Sequence, residues 1–353
     1  MTSQRTAPLQ PPGDALGSAA PPSRGRRLVA LIKIVVTSAA CIWILSLVDW
    51  VDFWRTVRGA TVWLLGIVVV MRFGGLTLSA YKWRRLLALH GADFSLGRLV
   101  RWYLVATFLN HFLPTSIGGD AYRIYRTLDN VRGRSCAVLA VIAERGTGFL
   151  ALLVLGLIAG LVSVGREPDP VVKTILGICA AGLVLAAAFW LGTRVVPLRR
   201  ITTRYRWASR LSSIAELIED FRGHPRQVAL IGALSFVFHV NKICAAWLVL
   251  YALGAPLDPL ALTLTIAGVE VIGLLPISLG GLGVVDGSFI YLVSRFGIAP
   301  EPALAAMLLL RVLNLPLSLA GAHFYLAGGR GTVPRPSPAV DYPPNPAPHR
   351  ANS

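Results

Sequence analysis

Apolar residues fall in eight blocks, approximately 28–48, 60–80, 99–113, 136–164, 171–193, 228–253, 260–275 and 302–327. Within each block they run continuously rather than alternating, so the pattern predicts helices and argues against a β-barrel, whose strands would alternate toward lipid and lumen. Several blocks reach the ~20 residues needed to cross a bilayer. Two are short: those ending at Leu113 and Leu275 run into Pro-Gly breaks. If all eight crossed, the connection bearing Arg123, Arg126, Arg132 and Arg134 would lie outside, as would the one running from Arg194 through Arg199, Arg200, Arg204, Arg206, Arg210 and Arg222 to Arg226. Cytoplasmic loops normally carry the basic residues. If the two short blocks instead enter, turn and leave by the same face, both connections return to the cytoplasm with Lys82, Arg84 and Arg85. The exterior then keeps chiefly Arg55, Arg58 and Arg166, near Asp49, Asp52, Glu167 and Asp169. The pattern thus predicts an all-α polytopic membrane protein with six transmembrane helices and two re-entrant helical hairpins. Trp43, Trp50, Trp54 and Trp63 would form its outer aromatic belt.

Composition agrees. Of 353 residues, 55% are hydrophobic and 14% charged, and the mean hydropathy is +0.64, which excludes an ordinary water-soluble globule. The net charge of +17 reads as cytoplasmic loops facing anionic lipid, and no nucleic-acid partner is expected. Cys41, Cys136, Cys179 and Cys244 show no paired spacing and read as packing residues. Residues 1–27 and 328–353 read as disordered cytoplasmic tails. They flank one membrane domain over 28–327, with repeat halves at about 28–164 and 171–327. Multi-pass insertion in the plasma membrane with both termini inside follows as the expected location. Leu211, Ile214, Leu217, Ile218 and Phe221 share one helical face among arginines and predict an amphipathic helix on the inner leaflet.

The two breaks repeat. LPTSIGG at 113–119 is echoed by LPISLGG at 275–281, each is followed by an aspartate, Asp120 and Asp286, and Arg145 in the next span is echoed by Arg311. Three spans separate the halves, so the second is expected to be inverted, its hairpin entering from the opposite face. Broken helices meeting near the midplane present free N–H groups and half-helix dipoles to a polar substrate. Pro114, Gly118, Gly119, Pro276, Gly280, Gly281 and Gly283 are therefore candidate binding elements, with Asp120 and Asp286 orienting the loops. Arg72, Glu144, Arg145, Lys242, Glu270 and Arg311 lie in lipid-depth segments, where an ionised group costs at least ~2.5–3.5 kcal/mol. Glu144 and Arg145, adjacent on one helix, do not face each other and are expected to find other partners. Arg72 reads equally as a snorkelling residue. Arg145 and Arg311 stand about eight residues into their spans, about 12 Å deep, and with Arg123 are expected to grip phosphate. Glu144 and Glu270 are candidate proton carriers. Asn110, His111, His239, Asn241 and Asn314 read as interhelical hydrogen-bonding residues, Asn314 also as a binding residue. The chain carries no phosphate loop, HExxH, GxSxG or paired Asp-x-Asp motif, so no enzymatic activity, cofactor or metal is expected.

LPTSIGGDAYRIYR, the Glu144-Arg145 pair, LLPISLGGLGVVDGSF and the Arg311 to Asn314 segment together resemble the flippase-like transmembrane domain of lysylphosphatidylglycerol synthases, in order, over about residues 28–327. Asp286 departs from the glutamate expected there. In bifunctional members of that family this domain moves aminoacylated lipid outward while a soluble domain carries the lysyl transfer; the resemblance here covers the membrane part. It implies a lipid translocase acting on an anionic, aminoacylated or polyprenyl-linked lipid, with phosphate-bearing membrane lipids as partners and one repeat rocking against the other. The rivals are an enzyme on lipid-linked substrates, such as a glycosyltransferase or aminoacyl transferase, and a scaffold for a separate lipid-modifying enzyme.

Overall fold

The computed structural model describes residues 49–89, 91–112, 118–128, 131, 134–165, 169–195, 219, 221–275, 278 and 281–328, with isolated positions between 35 and 46. Most of the first apolar block, both tails, the basic stretch 196–218, Pro114, Pro276 and Gly280 lie outside these residues, as does nearly all of the expected amphipathic helix. Among the described residues the fold is entirely helical: α1 Trp50–Arg58, α2 Val62–Leu89, α3 Leu96–Phe112, α4 Gly118–Thr127, α5 Arg134–Val164, α6 Pro170–Val195, α7 Pro225–Ala252, α8 Pro259–Gly273, α9 Val284–Arg295, α10 Pro300–Val312 and α11 Leu315–Gly328. Five stretches there are long and apolar enough to cross a membrane: α2, Cys136–Val164 of α5, Pro170–Thr193 of α6, α7 and Pro300–Ala327.

Local chemistry sets the ends. Asp49 accepts from Val51 N and Asp52 N at the start of α1, and Asp258 does the same for Leu260 N and Ala261 N at α8, satisfying donors that have no partner within the helix. Proline at the first position opens α7, α8 and α10, where its missing N–H costs nothing. The last block is not one helix. Leu313 and Asn314 interrupt it, because Pro316 has no N–H to donate back to Val312 and the ladder cannot pass that point. At the start of α6, the backbone N–H of Val171 and the Arg295 guanidinium hold the Asp169 carboxyl below the usual carboxylate range.

The helices pair in a pattern that exchanges into itself. α2 packs on α7. The pairs α3–α4, α4–α5, α2–α3 and α2–α5 are matched by α8–α9, α9–α10, α7–α8 and α7–α10. The helix pairings of the first half thus recur in the second. The halves are not separate bodies, however. The helix α3 of the first short pair lies against α11 of the second half, while α8 lies against α5 and α6 of the first. Two glycines make these crossed contacts possible: a Cβ on Gly321 of α11 would run into the Leu104 carbonyl of α3, and one on Gly156 of α5 would stand 2.9 Å from Cβ of Ala267 on α8. Small residues at such crossings are how membrane helices gain contact without a hydrophobic driving force.

Along α2, α5 and α7 the packing changes in the same sequence. One apolar cluster includes Val68, Leu152 and Val249, and a second includes Trp83, Leu139 and Ile231. Between them, on all three helices, lie polar and charged residues.

Candidate functional site

That middle layer lines an open cavity of about 460 Å³. On α2 its wall is the stripe Arg72, Gly75, Leu76, Ser79 and Lys82, the spacing of a single helix face. The two short pairs bring their broken ends to it. Asn110, His111 and Asp120 come from the first break, Glu270 and Leu274 from the second. A smaller cavity of about 250 Å³ adjoins; Arg72, Lys242, Glu270 and Asn314 line both, and Arg311 and Val285 line the smaller alone.

Five ion pairs organise the site. Arg123, 3% exposed, is bound to Glu144, 5% exposed. Its guanidinium carbon also lies 4.3 Å from the ring centre of Trp83 and 4.1 Å from that of Tyr103, and the Tyr103 hydroxyl donates to the same Glu144 carboxylate. Arg145 donates to Asp120, Nε at 2.6 Å and Nη2 at 2.5 Å, and Asp120 also lies 3.5 Å from Arg123. Lys242 pairs with Glu270, joining α7 to α8. Arg311 donates to Asp286 at 3.1 and 2.5 Å, while Asp286 accepts from Gly283 N at 3.0 Å. Gly283 (φ 77°) and Gly281 (φ 81°) are in the left-handed region, so the second break is built on backbone that only glycine adopts cheaply. At the first break the demand is space: Gly119 donates its N–H to Asn110 Oδ1 at 2.8 Å, and a Cβ there would meet the Ala106 carbonyl.

Several sequence expectations change in detail. Glu144 and Arg145 indeed take other partners. Arg123 is enclosed between two rings, so its first role is to neutralise Glu144; Arg145 and Arg311 are engaged by Asp120 and Asp286. Arg72 stands ten residues inside α2 and faces both cavities, which argues against snorkelling. Lys82, expected with the cytoplasmic cations, is 4% exposed and donates to the Glu144 carbonyl at 3.0 Å and to Ser235 Oγ at 3.1 Å. Its position differs because α2 continues to Leu89 rather than stopping near Ala80. Interhelical hydrogen bonding is found for three of the five residues expected to make it: Asn110 accepts from Gly119 N, His111 Nδ1 lies 2.9 Å from Ser318 Oγ, and Asn241 Nδ2 donates to the Met71 carbonyl at 3.1 Å. Tyr103 and Ser235 are partners the sequence reading missed. Both lie inside apolar runs, and only their helical phase with Lys82 and Glu144 would have marked them. Among the described residues no group of three His, Cys, Asp or Glu side chains gathers as a metal site would require.

Comparison with curated proteins gives no match. Residues 30–321 match the lysylphosphatidylglycerol synthase TM region. A bundle of apolar helices closed around a charged middle layer, with the match running through both breaks, means that this chain belongs to the lysylphosphatidylglycerol synthase transmembrane family.

Proposed function

We propose that the protein is a lipid translocase of the plasma membrane, carrying the headgroup of a phosphate-bearing lipid through the middle cavity while its tails stay in the bilayer. It acts without altering the lipid chemically, and a separate lipid-modifying enzyme supplies or uses the cargo. In this reading six helices cross the membrane, both termini are cytoplasmic, and the pairs α3–α4 and α8–α9 are re-entrant, entering from opposite faces. Irregular backbone at that depth is tolerated only where protein or water surrounds it, and in transporters such broken helices mark the substrate site. The observation that carries the proposal is the charged cavity midway along α2, α5 and α7, with both broken ends at its wall. Alternating access then separates the two crossed bodies, α3–α4–α11 and α5–α6–α8–α9, about the central α2–α7 pair. The ion pairs of Arg123 and Arg145 span the seam between them.

Reconstituted into vesicles, the protein should move labelled lipid between leaflets, more slowly after Arg145→Ala or Arg311→Ala. No movement by the unmodified protein would overturn the reading. Single cysteines replacing Arg132 and Arg204 should react only from the cytoplasmic side; exterior labelling at either would refute the six-span arrangement.

A further inference from the structure

The carboxylates lining the main cavity are already engaged. Asp120 is held by Arg145, Glu144 by Arg123 and Glu270 by Lys242. These three pairs are neutral. Two cations on the wall, Arg72 and Lys82, remain without an ion pair among the described residues. Arg72 makes no hydrogen bond there, and its Nε is buried and unpartnered. Lys82 spends two of its three N–H donors on the Glu144 carbonyl and Ser235, which leaves one. Both belong to the cavity stripe of α2, ten residues and about 15 Å apart along the axis, so positive charge in excess is distributed along the length of the cavity. Charges at such depth are retained where they meet a partner.

From this inventory we infer that the cavity selects headgroups of net negative charge, a phosphate with no ammonium group, and rejects cationic aminoacylated headgroups, with Arg72 and Lys82 as the selecting residues. The inference rests on the translocase reading for its cargo and narrows it. A phosphodiester brings one negative charge, which offsets half of this excess at whichever of Arg72 and Lys82 it meets. An ammonium group would need a carboxylate, and taking one from its present partner would strand an arginine or lysine inside the bundle, the arrangement that costs most. Arginine adds a planar fork matched to phosphate oxygens.

The test is retention. Purified protein is equilibrated with vesicles containing equal amounts of phosphatidylglycerol, phosphatidylethanolamine and lysyl-phosphatidylglycerol, and bound lipid is measured by native mass spectrometry. Phosphatidylglycerol should be retained over the lysyl form by about tenfold or more. Arg72→Gln, which breaks no hydrogen bond, should remove most of that preference, and Arg72→Lys should keep it. Equal retention of the three lipids, or preference for the lysyl form, would overturn the inference, as would complete displacement of lipid by millimolar inorganic phosphate. Selective retention without transbilayer movement would refute the translocase reading while leaving the selectivity in place; movement of all three lipids at equal rates would do the reverse.

Discussion

The two halves share one ion pair and differ in others, Arg123–Glu144 in the first and Lys242–Glu270 in the second. Asp120 with Arg145 and Asp286 with Arg311 are each separated by 25 residues, and each ties a short helix after a break to the span that follows. The pair common to both halves is therefore the device that holds a broken helix in place. The first half adds Arg123 and Glu144, buried beside Tyr103 and Trp83. Counting from the shared aspartate and arginine, the same positions in the second half are Phe289, which is buried, and Leu310. An apolar pair thus suffices for the architecture. The almost fully buried charges of the first half serve the cavity, at a standing desolvation cost larger than that of the partly exposed Lys242–Glu270 pair of the second half.

The sharpest way to break this comparison is to remove one partner of the extra pair. Glu144→Leu leaves the buried Arg123 with only the more distant Asp120 and should lower stability by up to about 3–5 kcal/mol, read as a loss of thermal midpoint in detergent, whereas Leu310→Met should cost less than about 1.5 kcal/mol. Replacing both members, Arg123→Phe with Glu144→Leu, copies the second half and should recover most of that loss while transport falls. A double variant as unstable as the single one would contradict the comparison. The crossed contacts come next. Gly321→Ala drives a methyl into the Leu104 carbonyl and should cost about 1–3 kcal/mol. Gly268→Ala should cost less, because its neighbours at 3.1 and 3.3 Å are the side chains of Leu292 and Ile175, which yield more easily than backbone. The shared pairs should then separate. Arg311→Ala leaves Asp286 with the Gly283 N–H alone and should cost about 1–2 kcal/mol, while Arg145→Ala leaves Asp120 with Arg123 and should cost under about 1 kcal/mol; equal losses would mean that Arg123 does not support Asp120. The smallest effect lies outside the cavity. Asp169 titrates lower when folded than when unfolded, so its contribution is present above the ordinary aspartate value near ~3.9 and disappears as pH falls through the lower folded value. The thermal midpoint measured downward from about pH 6 should therefore fall slightly less steeply in Asp169→Asn than in the unmodified protein.

Much of this was written in local pattern. The repeated Leu-Pro and Gly-Gly segments, each with an aspartate after it, mark both breaks, and charges at lipid depth mark Glu144, Glu270, Arg145 and Arg311. What they touch was not legible. A spacing of 25 residues from a short helix to the next span has no fixed direction, so the sequence does not show that Asp120 and Asp286 reach Arg145 and Arg311. Lys82 stood in a basic run and took the meaning of its neighbours; only the helical phase linking it to Arg72, Gly75 and Ser79 places it on the cavity wall. Pro316 did carry the signal for the interruption of the last span. The crossed packing of α3 on α11 and of α8 on α5 left no trace, since it joins surfaces far apart in the chain through glycines that look like any others in an apolar run.

The central claim is that water and a charged headgroup reach the middle of the bundle. It is tested most directly by placing a single cysteine at Asn314, which lines both cavities, in an otherwise cysteine-free chain in native membranes, and treating it with a charged thiol reagent. Rapid labelling at Asn314, slowed by added phosphatidylglycerol, with none at a cysteine placed at Val184 on the exposed apolar surface of α6, is the predicted result. Failure of Asn314 to label would contradict the account.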